Sequence, residues 1–170
     1  MKEIGMLFNT SMVRAILEGR KTQTRRLTKE KFVRENPIAK GYFENEAGAP
    51  VQPPARVGDR IYVRETWAKC KVSGRYIYRA TSYPLFAKLI SWRPSLHMPK
   101  AAARIWLEVT GVRAEPLQHI TVRDAAAEGC GTMRDFPRVW DGCYGKTPYS
   151  WKSNPFVWVV EFRRVEHHGA

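Results

Sequence analysis

Apolar residues alternate with small or polar ones at Ile4, Met6 and Phe8, the period-two pattern of a short strand with one buried face. The period then changes. Met12, Val13, Ile16 and Leu17 recur at helical spacing behind Asn9, Thr10 or Ser11 as N-cap, and Gly19 supplies a left-handed stop. Residues 28–57 mix charges with Pro37, Pro50, Pro53 and Pro54 and predict a long loop. Beyond the Gly58-Asp59 turn, the branched and aromatic run from Ile61 to Trp67 predicts a strand, with a hairpin through Gly74 into the alternating Arg75 to Arg79. A second loop is expected over 81–102, which carries Pro84, Pro94 and Pro99. Arg104 to Arg113 reads as a long strand with Ile105, Leu107 and Val109 on one face. Thr121-Val122-Arg123-Asp124 has the form of a capping box with aspartate in place of glutamate, and the helix it opens runs to Glu128 before Gly129 ends it. Another helix follows Asp135, with Phe136, Val139, Trp140 and Cys143 on one side. Phe156 to Phe162 is apolar on both faces, as a central strand would be.

Several strands joined by long loops, with three short helices, predict a single α+β domain over 1–170, a small mixed barrel among the possibilities. Hydrophobic residues at 44% and charged residues at 26% exclude a wholly disordered chain. The balance of 29 Lys and Arg against 16 Asp and Glu gives +13, so an anionic partner is expected. No apolar run approaches the roughly 18 residues of a spanning helix, and the expectation is a soluble, cytoplasmic protein. Cys70, Cys130 and Cys143 are widely spaced and suit a reducing compartment, and no paired ligands at zinc spacing occur, so neither a metal nor a cofactor is expected. Arg163, Arg164, His167 and His168 form a basic tail, either part of a phosphate-binding surface or simply solvated.

The densest cationic cluster is Arg20-Lys21-Thr22-Gln23-Thr24-Arg25-Arg26. It is either a solvated basic face or a site where crowded cations hold a phosphate or carbonyl and depress the pKa of the central lysine. With Gly19 in front, this stretch matches the pattern G-x-K-x-x-T-x-R, and on that motif the chain resembles the ASCH family, a branch of the PUA-like superfamily. The likeness extends nearly end to end and is greatest for longer phage and prophage members: Gly58-Asp59 before Val63-Arg64-Glu65-Thr66-Trp67, Ser95 to Pro99, Ile120 to Gly129, and Asn154 to Trp158 follow in order.

That resemblance implies a small PUA-like β-barrel flanked by short helices, with a signature-lined cleft that recognises RNA or modified nucleosides, and with insertions near 28–57 and 81–102. Some small bacterial members remove the acetyl group from N4-acetylcytidine, and by motif their catalytic set falls on Lys21, Thr24 and Glu128, the last seven residues beyond Thr121. In that chemistry Lys21 takes a proton from Thr24 or water, Glu128 protonates the departing amine, and Arg26 stabilises the oxyanion. Arg20 and Arg25 would help to bind substrate. A glutamate at a helix C-terminus opposes the macrodipole, so local stability does not explain Glu128. Glu65 either assists in the cleft or pairs with a signature arginine. Trp92 and His97 sit on a loop that either stacks a base or packs onto the barrel. The alternatives to hydrolysis are a non-catalytic RNA-binding module and a metal-dependent ribonuclease, for which the sequence shows no obvious carboxylate cluster.

Overall fold

Asn9 opens the first helix: its side chain accepts a hydrogen bond from the Met12 amide at 2.9 Å, and Gly19, at φ 72°, leaves the far end in the left-handed region that suits glycine. The structure is a computed structural model that describes residues 1–166; His167 and His168 lie outside the described residues. Along the chain the elements are β1 (Glu3–Leu7), α1 (Thr10–Leu17), β2 (Gln23–Leu27), β3 (Arg34–Glu35), β4 (Phe43–Glu44), β5 (Pro50–Val51), β6 (Arg60–Arg64), β7 (Trp67–Lys69), β8 (Tyr76–Tyr78), α2 (Pro84–Ala87), β9 (Trp106–Pro116), α3 (Val122–Ala127), α4 (Phe136–Tyr144) and β10 (Phe156–Val165). A five-stranded sheet has the order β1-β6-β9-β10-β2 and is mixed, because β1 runs parallel to β6 while β6 is antiparallel to β9. The expected α+β class thus rests on one mixed sheet and short helices, with β10 in the interior position its two apolar faces predict.

Two compact units divide the chain. One comprises Met1–Gly19, Asp59–Glu108 and the end from Arg164; the other comprises Arg20–Gly58 and Val109–Arg163. In the first unit Phe8, Val13, Ile16, Ile61, Val63 and Leu107 are buried. A second cluster of Trp67, Met98 and Ala102 packs with Tyr76 and Tyr78 of the β7–β8 hairpin. The predicted strand from Ile61 to Trp67 is interrupted after Arg64, where Glu65 and Thr66 separate β6 from β7. Residues 81–102 are less irregular than expected, holding α2 and single 3-10 turns at Ser95–His97 and Lys100–Ala102.

In the second unit, α3 and α4 cover one face of the β10–β2 pair through Leu117, Ile120, Ala125, Phe136, Trp140, Val157 and Val159. Val33, Phe43 and Trp158 form another cluster with Val112 and Phe156. The long loop predicted over 28–57 is corrected here: it contains a small antiparallel sheet, β3-β4-β5. Two-residue strands cannot display the alternation that identifies longer ones, and Pro50 begins β5, a position that tolerates proline. Among the described residues, no helix is long and apolar enough to cross a membrane.

Candidate functional site

Arg25 pairs across the β2–β10 ladder with Val159, and Leu27 pairs with Val157. Since paired residues share a face, Arg25 and Leu27 join Val157 and Val159 beneath α3 and α4, whereas Thr24 and Arg26 share the opposite face with Val160 and Trp158. Immediately before β2, Lys21 forms an isolated antiparallel bridge with Glu128, and the Thr22 amide donates to the Ala127 carbonyl at 2.8 Å. These bonds tie the end of α3 to the start of the signature strand.

α3 begins with a complete capping box: the Asp124 amide donates to the Thr121 hydroxyl, and the Asp124 carboxylate accepts from the Thr121 amide. Its far end brings Glu128 to two cations. Lys21 Nζ donates to Glu128 Oε2 at 2.7 Å and to the Glu128 carbonyl at 2.9 Å. Arg25 Nη1 donates to Glu128 Oε1 at 3.1 Å, Nη2 donates to Glu115 Oε1 at 2.6 Å, and Nη2 lies 3.5 Å from Asp124 Oδ2. Arg113 continues the network, donating from Nε to Glu115 at 3.1 Å, from Nη2 to Asp124 at 2.7 Å, and from Nη1 to Glu161. Gln23 donates to the Asp124 carbonyl at 3.2 Å.

The side chains of Lys21, Arg25 and Glu128 are 0%, 1% and 4% exposed, so this is a buried ionic cluster whose members depend on one another. Burying such charges costs several kcal/mol per ion, roughly repaid by pairing, while removal of one partner strands the rest. The placement of Glu128 now has a local cause: a carboxylate at a helix C-terminus is unfavourable alone, but Lys21 neutralises it and also satisfies the terminal carbonyl. Burial tends to raise the Asp124 pKa, but the Thr121 amide and hydroxyl, with Arg25 and Gln23, outweigh it and bring the carboxyl down to about 2. Burial lowers the Arg26 pKa against the opposing influence of Tyr144, Glu128 and Cys143; a guanidinium nevertheless stays charged. Arg20 reaches the Gly129 carbonyl at 3.0 Å from an exposed position.

The solvated-face expectation therefore fails for Lys21 and Arg25, which are held by the chain's own carboxylates. Glu115, Asp124 and Glu161, together with Arg113, complete the cluster. The alternation of Arg113 and Glu115 on one face of a strand is the signal that points to the first pair; the others meet only through the fold. Thr24 is buried, two per cent exposed, on the face of β2 opposite Arg25.

Glu65, Trp92 and His97 belong to the first unit. Glu65 is 1% exposed and accepts both Nε and Nη2 of Arg104, at 2.9 and 3.0 Å, so its arginine partner comes from outside the signature. Arg104 in turn lies 4.0 Å from the ring centroid of Tyr78. Trp92 is half-buried and donates to the Ala87 carbonyl at 2.8 Å, Met98 is buried, and His97 is exposed at the end of its 3-10 turn.

Beside the ionic cluster lies a cavity of about 390 Å³ lined by Thr22, Gln23, Thr110, Asp124, Ala127 and Phe162 among others. Thr22 and Ala127 are the chain neighbours of Lys21 and Glu128. Among the described residues, no group of three or more His, Cys, Asp or Glu is arranged to hold a metal ion.

No family model matches this sequence, and no curated protein matches it significantly. Solved structures do. The ASCH domain from Lactobacillus crispatus JV V101 superimposes with a TM-score of 0.53 at 13% identity, over 98% of this chain and 81% of that one. A protein from Enterococcus faecalis V583 assigned to DUF984 gives a TM-score of 0.48 at 12% identity, over 100% and 86%. The chain thus shares the fold of that ASCH domain.

Proposed function

We propose that the second unit recognises a nucleoside within RNA or free in solution, and that the Lys21–Glu128 pair hydrolyses an exocyclic amide of an acylated base such as N4-acetylcytidine. The observation that carries this reading is the 2.7 Å contact between Lys21 Nζ and Glu128 Oε2 in a buried setting; a cavity of about 390 Å³, a volume compatible with a nucleoside, is lined by their chain neighbours Thr22 and Ala127 rather than by the pair itself. The strongly basic chain and the ASCH-type fold agree with a nucleic-acid partner.

Proton transfer along the Lys21–Glu128 hydrogen bond converts ammonium and carboxylate into amine and carboxylic acid. The amine then takes a proton from a water molecule as its oxygen attacks the acyl carbon. When the C–N bond breaks, Glu128 gives its proton to the leaving amino group, and the ion pair is restored with one carboxylic acid and one free amine as products. Arg25, bonded to the second Glu128 oxygen, holds the carboxylate in place. Arg26, within electrostatic reach of Glu128, supplies positive charge for the oxyanion, whereas Thr24, on the face of β2 opposite Arg25, takes no part in the step.

A second reading has its own support: Lys21 and Glu128 are almost fully withdrawn from solvent, as they would be if the cluster only shaped a binding surface. The two separate in one experiment. Incubation with N4-acetylcytidine should release acetate, Lys21→Gln and Glu128→Gln should each abolish release, and cytidine should yield none. Absence of release by a folded protein that retains RNA in a salt-sensitive manner establishes the binding module instead.

A further inference from the structure

The segment 28–57 supplies a surface that the Lys21–Glu128 chemistry does not use. A groove of about 600 Å³ runs among Lys40, Tyr42, Pro53, Arg56 and the β9 residues Thr110 to Val112. Tyr42 is 61% exposed, and the Arg56 guanidinium lies 6.0 Å from its ring centroid. Arg56 is steadied by a hydrogen bond from Nη2 to Gln52 Oε1 at 2.6 Å. The one acidic side chain on the rim, Glu35, accepts the Gly41 amide at 2.6 Å. Thr110 lines this groove and also the cavity beside Lys21 and Glu128. One wall residue is therefore common to both hollows.

We infer that the groove holds the nucleotides flanking the one in the cavity, so that the ligand of this domain is a single-stranded polynucleotide and not only a free nucleoside. The inference rests on the nucleoside reading above and specifies its substrate class. An exposed tyrosine accompanied by a guanidinium offers a stacking platform for any base, and Lys40 and Arg56 offer charge to the phosphates on either side. A chain of net charge +13 supplies the long-range attraction. The apolar lining from Pro53 and Val112 suits the faces of bases, and the shared wall residue Thr110 makes the two hollows neighbours.

Fluorescence anisotropy of the full chain with a labelled eight-nucleotide oligoribonucleotide, and with its deoxy counterpart, tests this. Tyr42→Ala and Arg56→Gln should each weaken binding of one or both polymers by about tenfold, a typical effect of losing one stacked base. Tyr42→Phe should bind like the parent, and Arg56→Gln should reduce the slope of log affinity against log salt by about one. Circular dichroism verifies folding of each variant. Parent-like affinity in folded Tyr42→Ala and Arg56→Gln overturns the inference, as does failure of the parent to bind either polymer. Acetate release from free N4-acetylcytidine, measured on the same variants, should match the parent. If the parent releases none while Tyr42→Ala still weakens polymer binding, hydrolysis is lost as a function but the groove stands.

Discussion

Lys21 holds Glu128 twice, through the carboxylate at 2.7 Å and through the backbone carbonyl at 2.9 Å. One contact fixes the side chain and the other fixes the end of α3, so the ammonium secures both the position and the charge of the same residue. Arg25 takes the remaining carboxylate oxygen, and Glu128 is thereby held from two residues of one chain segment. The same contacts thus order the carboxylate and tie the end of α3 to the chain just before β2.

Lys21→Met should accordingly destabilise the protein by about 3 kcal/mol, the lower end for a broken buried ion pair, because Arg25 still compensates Glu128. Adding Glu128→Leu should recover most of that loss, since the double variant buries no unpaired carboxylate there. Urea unfolding of both singles and the double checks this, and additive losses would show that the two side chains do not act as a pair.

Acid should weaken the second unit through Asp124. Its carboxyl is brought down to about 2 from an ordinary 3.8 by Thr121, Arg25 and Gln23, which outweigh the opposing effect of burial. A depressed carboxylate stabilises the fold above its unfolded value and ceases to do so as pH falls from about 4 through 2. With solvent screening allowed for, the contribution is about 1 kcal/mol. Asp124→Asn should flatten the stability profile in that window, as measured by urea unfolding at stepped pH; an unchanged profile would remove Asp124 as its source.

Much of this geometry is legible in local sequence, and the illegible part has a common cause. Asn9, Gly19, Thr121, Asp124 and Gly129 act within a turn of their own positions, so the helix ends they set can be read directly. The apolar run at 156–162 similarly announces an interior strand. By contrast, composition and spacing leave Lys21 and Arg25 open between a solvated face and an anion site, because their partners, Glu115, Asp124 and Glu128, lie about ninety or more residues away. The short strands β3, β4 and β5 have too few residues to show a period, which hides the groove beside Tyr42. The likeness of the Thr121 to Glu128 interval to a family motif supplies what spacing alone does not: a reason to place that glutamate beside the signature lysine.

In the first unit, Arg104→Met should cost about 3 kcal/mol, because Glu65 is 1% exposed and would be left buried without the guanidinium that donates to both its oxygens. Glu65→Leu in the same chain should restore much of the loss. Thermal and urea unfolding of the singles and the double decide it. A single Arg104→Met variant as stable as the parent would mean that Glu65 is compensated by another group.

Gly111 tests how closely β9 and β10 must approach. A Cβ added there would lie 2.7 Å from Glu161 Oε2 and 3.2 Å from its Cδ. Glu161 is the side chain that meets Arg113 in the ionic cluster, and its tip is partly exposed, so it can move, but only by loosening that contact. Gly111→Ala should therefore cost about 1 kcal/mol, the low end for overpacking. Glu161→Ala in the same chain should relieve the clash, making the double variant less destabilised than the two single losses summed. Urea unfolding of the three variants measures this coupling, and simple additivity would show that Glu161 has a second position that avoids the new methyl group at no cost.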